Sequence, residues 1–267
     1  MHQPIPKADW PTTWKASYEF DQEEVFGPLR NRGYAYAYDV RRRKTLQLLT
    51  RGLQAPARVL DVAAAQGNFT LSLAELGYQV TWNDLRVELV DYVKLKYEFG
   101  DIAYAPGNAF ELNFPNLFDG ILITEVIEHV AHPDSFLAAT AQLVRPGGCI
   151  VMTTPNGAYM RNTLPRFSDC ADPSIYESGQ FKPDADGHIF LLYQDEIRRF
   201  ALAEGLIVEE VLFFTNPLTN GHMKTSYLLK ILPRWLVDAV ESATQSLPMR
   251  IGERILLQVG VRFRKPQ

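Results

Sequence analysis

Apolar residues along the chain fall into two patterns that take turns. Short runs of consecutive branched side chains, such as Ile121-Leu122-Ile123, give way to stretches in which apolar residues return every three to four positions. Seven runs read as strands, at 57–62, 79–82, 102–105, 118–124, 149–153, 207–214 and 255–263. Four stretches read as helices, at 68–76, 87–99, 133–144 and 194–203. Such alternation is the pattern of parallel strands joined by crossover helices. Strands that are apolar throughout, rather than at every second residue, fit a sheet covered by helices on both faces. The helix at 133–144 is punctuated at both ends. Pro133 suits a first turn, whose N–H has no partner to lose, and Arg145-Pro146-Gly147-Gly148 forces the exit into the next strand.

Two segments stand outside this alternation. Residues 1–50 hold Trp10, Trp14, Tyr18 and Phe20, the alternating Tyr34-Ala35-Tyr36-Ala37-Tyr38, and a helix-like stretch ending in Arg41-Arg42-Arg43-Lys44. Residues 216–254 separate the last two strands and contain an amphipathic stretch over 227–243. Both read as decorations on one domain. The first is an N-terminal extension (1–50) expected to cover substrate; the second is an insertion before the last strand of the 51–267 domain. The four-residue spacing of Trp10 and Trp14 suggests one helical face. The tyrosine alternation reads as core packing or a substrate mouth, and the basic run as a solvated helix face. Residues 224–243 read as core packing or a lid, with peripheral membrane contact as the other reading.

Composition narrows the class. The chain has 267 residues, with 27 Lys plus Arg against 31 Asp plus Glu, a formal charge of −4. No whole-chain basic field advertises nucleic acid, and none is expected as partner. Cys149 and Cys170 are too few for a disulfide framework or a thiolate metal site, and Cys149 falls in a strand expected to be buried. No apolar stretch approaches the roughly 18 residues that span a bilayer. The opening MHQPIPKADW lacks the apolar core of a secretory leader, so a cytoplasmic enzyme-sized domain is expected.

The first candidate site follows the first strand. Asp61-Val62-Ala63-Ala64-Ala65-Gln66-Gly67-Asn68 is a strand end, a turn of small residues and a helix start, which lets the backbone approach a ligand at the carboxyl edge of a sheet. Asp84, 23 positions after Asp61, ends the second strand at about the spacing from which a carboxylate reaches a ribose diol.

The order of these features resembles that of class I S-adenosylmethionine-dependent methyltransferases, from about Arg58 to Glu204. The resemblance implies a Rossmann-like α/β fold, a seven-stranded methyltransferase sheet with helices on both faces. It also implies S-adenosyl-L-methionine as cofactor. The family's Asp-x-Gly-x-Gly-x-Gly turn reads here Asp61-x-Ala63-x-Ala65-x-Gly67, with alanines at two positions that matter if they need a positive φ. Asp84 matches the ribose-binding acid, with Leu85 beside it. Gly107-Asn108-Ala109-Phe110 matches the adenine segment, where Asn for Asp keeps an acceptor oxygen. Phe118–Thr124 resembles the fourth strand, and Leu143-Val144-Arg145-Pro146-Gly147-Gly148 resembles the turn before the fifth.

Glu125-Val126-Ile127-Glu128-His129 follows the fourth strand. In a helical turn Glu125, Glu128 and His129 share a face, a set suited to a divalent metal or to acid–base work; capping and a satisfied histidine are the bland readings. Together with the later His188 and Thr154-Pro155-Asn156, this set resembles the metal-binding residues of ubiquinone-biosynthesis O-methyltransferases and small-RNA 2′-O-methyltransferases. The resemblance implies that Glu125, Glu128, His129 and His188 hold Mg²⁺ or another divalent metal, and that Asp186 and its neighbours fold over the site. Without a metal, His129 is the expected general base, with Glu128 beside it; Glu125 also borders the expected cofactor site, with Asp61, Ala63, Ala65, Gly67, Asp84, Leu85, Asn108 and Ala109. The reaction expected is methyl transfer to a hydroxyl of a small molecule. N-methylation of an amine, RNA 2′-O-methylation and a silent cofactor-binding module are the rivals. The acceptor and the oligomeric state are not encoded in any motif.

Overall fold

The computed structural model describes residues 1–28, 30–180, 187–221 and 225–267. Seven strands form one sheet: β1 (Arg58–Val62), β2 (Gln79–Trp82), β3 (Asp101–Tyr104), β4 (Phe118–Thr124), β5 (Val144–Pro155), β6 (Ile207–Phe214) and β7 (Gln258–Arg264), in the order β3-β2-β1-β4-β5-β7-β6. The first five run parallel, and β7 runs antiparallel between β5 and β6. From β1 the chain builds outward to β3, then returns to lay β4 on the other side. That reversal opens a crevice at the carboxyl ends of β1 and β4, where sheets of this kind take their ligands.

Nine α-helices lie among the described residues: α1 (Thr12–Glu24), α2 (Arg32–Thr50), α3 (Asn68–Glu75), α4 (Leu89–Lys96), α5 (Pro133–Leu143), α6 (Gln194–Ala203), α7 (Ser226–Leu229), α8 (Arg234–Gln245) and α9 (Met249–Ile255). Neighbouring strand residues point to opposite cores. Leu60, Ile121, Ile123, Ile150 and Met152 enter one cluster, while Val59, Leu122, Cys149 and Val151 enter the other. This explains why the strands are apolar without alternation. Truncating any of these large aliphatic chains to Ala costs about 2–5 kcal/mol.

Several boundaries differ from the sequence pattern. The last strand starts at Gln258, not 255, because Met249–Ile255 closes a short helix after Pro248. Strand β5 begins at Val144, but its register on β4 jumps from Phe118↔Val144 to Gly120↔Cys149, so Arg145-Pro146-Gly147-Gly148 bulges out of the ladder. The stretch at 87–99 is helical only over Leu89–Lys96, and the helix bearing the basic run continues to Thr50. Trp10 lies before α1 rather than on it, yet its ring still meets Trp14 edge-on at 5.9 Å. Pro233 divides 227–243 into α7 and α8, and core packing accounts for little of it: Leu229 and Val237 are buried, whereas Tyr227, Leu228, Ile231 and Trp235 are exposed. Lys224, at the head of that stretch, lies outside the described residues.

Helix α1 is bound to the sheet domain by a buried polar cluster. Asp21 accepts from Lys96 Nζ at 2.7 Å, Tyr92 Oη at 2.7 Å and Asn68 Nδ2 at 2.8 Å, with the Asp21 and Lys96 side chains wholly buried. Burial pushes the Lys96 ammonium below its usual range, and Asp21 opposes that shift. Asn68 also opens α3, so the extension is fastened to the helix that starts the small-residue turn.

Candidate active site

The turn after β1 carries three left-handed residues at alternate positions, Ala63 (φ 53°), Ala65 (φ 47°) and Gly67 (φ 74°). Both alanines therefore occupy conformations that L side chains resist, at about 1–2 kcal/mol each. Gly67 cannot be exchanged in the same way: a Cβ there would lie 2.9 Å from both methyl carbons of Val93. The turn is fixed by hydrogen bonds from Ala64 N to Asn83 O at 2.8 Å and from Trp82 Nε1 to Ala65 O at 3.1 Å.

Asp84 lies directly across from this turn. Its Oδ2 accepts from Ala65 N at 2.9 Å, and Arg86 reaches both carboxylate oxygens, at 2.9 and 3.0 Å. Asn83 ties the same strand end to the Gly107 segment, donating to Ala105 O at 2.7 Å and Gly107 O at 2.9 Å. Within that segment Asn108 Oδ1 accepts from Phe110 N at 3.1 Å, which leaves it one lone pair for a ligand. Phe110 and Phe136 meet edge-on at 5.1 Å.

These elements enclose a cavity of about 790 Å³ lined by Ala63, Ala65, Asp84, Leu85, Asn108, Ala109, Glu125 and His129 among others. A carboxylate for a diol, a small-residue turn and an aromatic slot in one crevice fit S-adenosylmethionine. Four of the expected site residues, Asp61, Gly67, Glu128 and His188, stand back from the cavity wall. Asp61 lies beneath it, fully buried, accepting from Thr70 Oγ1 at 2.6 Å, while its Oδ1 has no hydrogen-bond partner among the described residues. Burial pushes its carboxyl up to about 7, against the pull of the Thr70 hydrogen bonds. Gly67 serves as N-cap of α3, and Glu128 lies behind His129.

The sequence reading missed Arg41. Taken there as part of a solvated face, it instead lines the cavity and pairs with Glu125 Oε2 at 2.9 Å, with 16 % of its side chain exposed. Arg42 is likewise engaged, with Ser72 Oγ, and only Arg43 of the three is well exposed. A helical rather than alternating reading of Tyr34, Tyr38 and Arg41 would have found it, because positions i, i+4 and i+7 share one face. Tyr34 donates to Glu24 Oε1 at 2.6 Å, and the Arg41 guanidinium lies 5.2 Å from the Tyr38 ring centre. Glu24, which no motif indicated, also lines the cavity, and burial pushes its carboxyl above the usual range.

The acidic–histidine set does not form as the resemblance implied. Only Ile127–His129 makes a helical turn, a single 3-10 one, and Glu125 precedes it in a left-handed conformation (φ 53°). Glu125 is thereby turned toward Arg41 and Gln258 and stands outside the group that could ligate a metal. That group is Glu128, His129 and His188, whose ligand atoms all lie within 4.8 Å of one another. Glu128 Oε2 accepts from Thr154 Oγ1 at 3.0 Å, while Oε1 is buried with no hydrogen-bond partner among the described residues. Burial, reinforced by the charge of Glu125, holds the Glu128 carboxyl well above its ordinary value. The His129 and His188 rings meet at 5.0 Å, and His129 Nδ1 lies 3.4 Å from Gly187 O. A buried orphan carboxylate oxygen beside two imidazoles fits a divalent metal. Asp186, expected beside them, lies outside the described residues.

The comparisons with known proteins agree with this fold. The family model for the methyltransferase domain matches residues 30–211. The ubiquinone biosynthesis O-methyltransferase of Aromatoleum aromaticum is 30% identical over 174 residues, which cover 62% of this chain and 71% of that protein. The enzyme of the same name from Xanthomonas euvesicatoria is 39% identical over 106 residues, covering 38% of this chain but only 44% of that protein. At the level of fold, Haemonchus contortus phosphoethanolamine N-methyltransferase 2, solved with S-adenosyl-L-methionine, superposes with a TM-score of 0.57 at 21% identity, covering 99% of this chain and 62% of that one. The chain belongs to the methyltransferase-domain family and is a class I S-adenosylmethionine-dependent methyltransferase.

Proposed function

We propose that the chain methylates a hydroxyl oxygen of a small molecule, with Glu128, His129 and His188 activating that oxygen. The observation that carries this reading is the position of His129, which lines the cofactor cavity while standing within ligand distance of Glu128 and His188. The O-methyltransferase names of the two sequence relatives point the same way. S-adenosylmethionine supplies a methyl group already activated on a sulfonium. The protein's part is to hold the acceptor in line and remove its proton, and positioning of this kind contributes roughly 7–11 kcal/mol.

In this reading Asp84 takes the ribose diol, Leu85 and the Asn108–Ala109 pair frame the adenine, and Ala63 and Ala65 bring the backbone close to the methionine part. Glu125 and Glu24 offer acceptors to the methionine ammonium, and Arg41 offers a cation to its carboxylate. Residues 1–50 act as a cover through Glu24, Tyr38 and Arg41. Without a metal, His129, with Nδ1 turned toward the Gly187 carbonyl, presents Nε2 to the acceptor's proton. Glu128, His129 and His188 would hold a divalent ion, which would lower the hydroxyl's pKa. One carboxylate and two imidazoles suit Zn²⁺ or Fe²⁺ better than Mg²⁺. The exposed Tyr227, Leu228, Ile231 and Trp235 support contact with an apolar surface during acceptor delivery.

Turnover of hydroxylated aromatic acceptors with S-adenosylmethionine tests the reading, with and without chelator. His129→Ala is expected to lose at least about 100-fold in kcat while still binding cofactor. Glu128→Gln and His188→Ala should abolish metal retention, read by elemental analysis of the purified protein. Full turnover in His129→Ala would end the proposal, and methylation of amines alone would replace it with N-methylation.

A further inference from the structure

Besides the two alanines of the turn after β1, two non-glycine residues hold left-handed backbone among the described residues, Glu125 at φ 53° and Thr215 at φ 65°. They are 90 positions apart, and one side chain joins them. Gln258, the first residue of β7, accepts the Thr215 hydroxyl on Oε1 at 2.8 Å and donates from Nε2 to Glu125 Oε2 at 2.9 Å. The amide cannot be reversed, since a flip would set its carbonyl oxygen against the Glu125 carboxylate.

Thr215 is itself held from the far side. Its backbone N–H donates to Glu241 Oε1 at 2.7 Å, while Asn216 N and the Thr219 hydroxyl donate to Glu241 Oε2 at 2.9 and 2.7 Å. Glu241 belongs to α8, and all four of these side chains are buried. A branched residue in the left-handed region persists only where its surroundings over-determine it. Here both the N–H and the hydroxyl of Thr215 are committed, one to the inserted helix and the other to Gln258.

The consequence falls on Glu125. Its Oε2 takes one donor from α2, Arg41, and one from β7, Gln258. Its Oε1 is buried with no hydrogen-bond partner among the described residues, and the residue lines the cofactor cavity. Two donors on one oxygen fix the plane of the carboxylate, whose side chain is 20 % exposed. We propose that Gln258 is a positioning residue of the methyltransferase site. With Arg41 it fixes the Glu125 carboxylate at the cavity wall, so that its charge faces the cationic methionine end of the cofactor, and Glu241 on α8 sets Gln258 by holding Thr215. The inserted helix, which forms no part of the cavity wall, is thereby coupled to cofactor affinity. The proposal rests on the reading of Glu125 as cofactor-facing.

A double-mutant cycle on the full chain tests it, with calorimetric binding of S-adenosylmethionine and of its demethylated product, and with thermal melts to establish folding. Gln258→Met, which keeps shape and loses both hydrogen bonds, is expected to weaken binding about ten-fold, and less than about two-fold when Glu125→Gln is already present. Its kcat at saturating cofactor should stay within about two-fold of the parent, since the effect lies in binding. Thr215→Val reads the same cycle if Gln258→Met does not fold. An equal loss in both backgrounds would make Gln258 a packing residue and overturn the proposal, as would unchanged affinity in the single variant. If Glu125→Gln leaves affinity untouched while Asp84→Asn lowers it, the cofactor-facing reading of Glu125 fails and takes the proposal with it. If Glu125→Gln weakens binding and Gln258→Met does not, the proposal alone fails.

Discussion

The backbone N–H of Ala65 donates to Oδ2 of Asp84 at 2.9 Å, joining the turn after β1 to the acid after β2. The same carboxylate is gripped by Arg86, through Nε on one oxygen and NH2 on the other. The Arg86 backbone N–H donates to Oδ1 as well, at 2.9 Å, so Asp84 cannot rotate away from the cavity it lines. Asp84→Asn would turn one acceptor into a donor aimed at a cation or an N–H. Cofactor affinity is expected to fall about 10- to 100-fold, the loss of a hydrogen bond to a charged group. Calorimetry checks this, and a change below two-fold would detach Asp84 from the cofactor.

The left-handed alanines make an opposite expectation. Ala65→Gly removes strain at φ 47°, partly offset by the greater freedom of glycine in the unfolded chain. A gain of about 0.5–1 kcal/mol in denaturant unfolding is expected, with cofactor affinity retained. Ala63→Gly should behave alike. Gly67→Ala should instead lose about 1–3 kcal/mol, because it adds strain where Val93 already fills the space.

The ordered motifs made one wall of the cavity legible because backbone-level needs leave local marks: a small-residue turn, an acid at a strand end, a Pro-Gly-Gly exit. The opposite wall left none. Arg41 and Glu24 come from the extension, and their approach depends on how α1 and α2 pack, which is a long-range matter. Glu125 shows the same limit from the other side. Spacing alone puts it with Glu128 and His129 on a helical face, but its positive φ turns it away, and no residue type announces that conformation. The apolar residues of 227–237 mislead in a third way, since periodicity reports a face and not what covers it.

Lys96 and Asp21 decide whether the extension stays attached. The pair is fully buried, so removing one partner strands the other charge in a low-dielectric interior. Lys96→Met is expected to destabilise the fold by about 3–5 kcal/mol. Replacing both partners, as in Asp21→Leu with Lys96→Met, removes the stranded charge but leaves the Tyr92 hydroxyl and the Asn68 amide without Asp21, so only part of that loss should return. Urea unfolding checks the difference, and equal stability of the single and double variants would contradict it.

Asp61 gives the fold a pH dependence of defined sign. Its carboxyl sits at about 7 in the folded protein against an ordinary value of 3.8, because burial disfavours the anion. Between those two values the folded chain holds a proton that the unfolded chain has released. Stability therefore falls as pH rises through that window and levels off above it, by an amount on the order of a few kcal/mol. Asp61→Asn cannot ionise and should lose this component, so the gap between parent and variant changes from pH 4 to pH 7 and is constant from pH 8 upward. Paired urea titrations at pH 4.5, 5.5, 6.5 and 7.5 cancel the contributions of every other carboxylate. Parallel profiles for the two proteins would mean that Asp61 is already ionised in its buried site, with an unseen donor on the oxygen that Thr70 leaves bare.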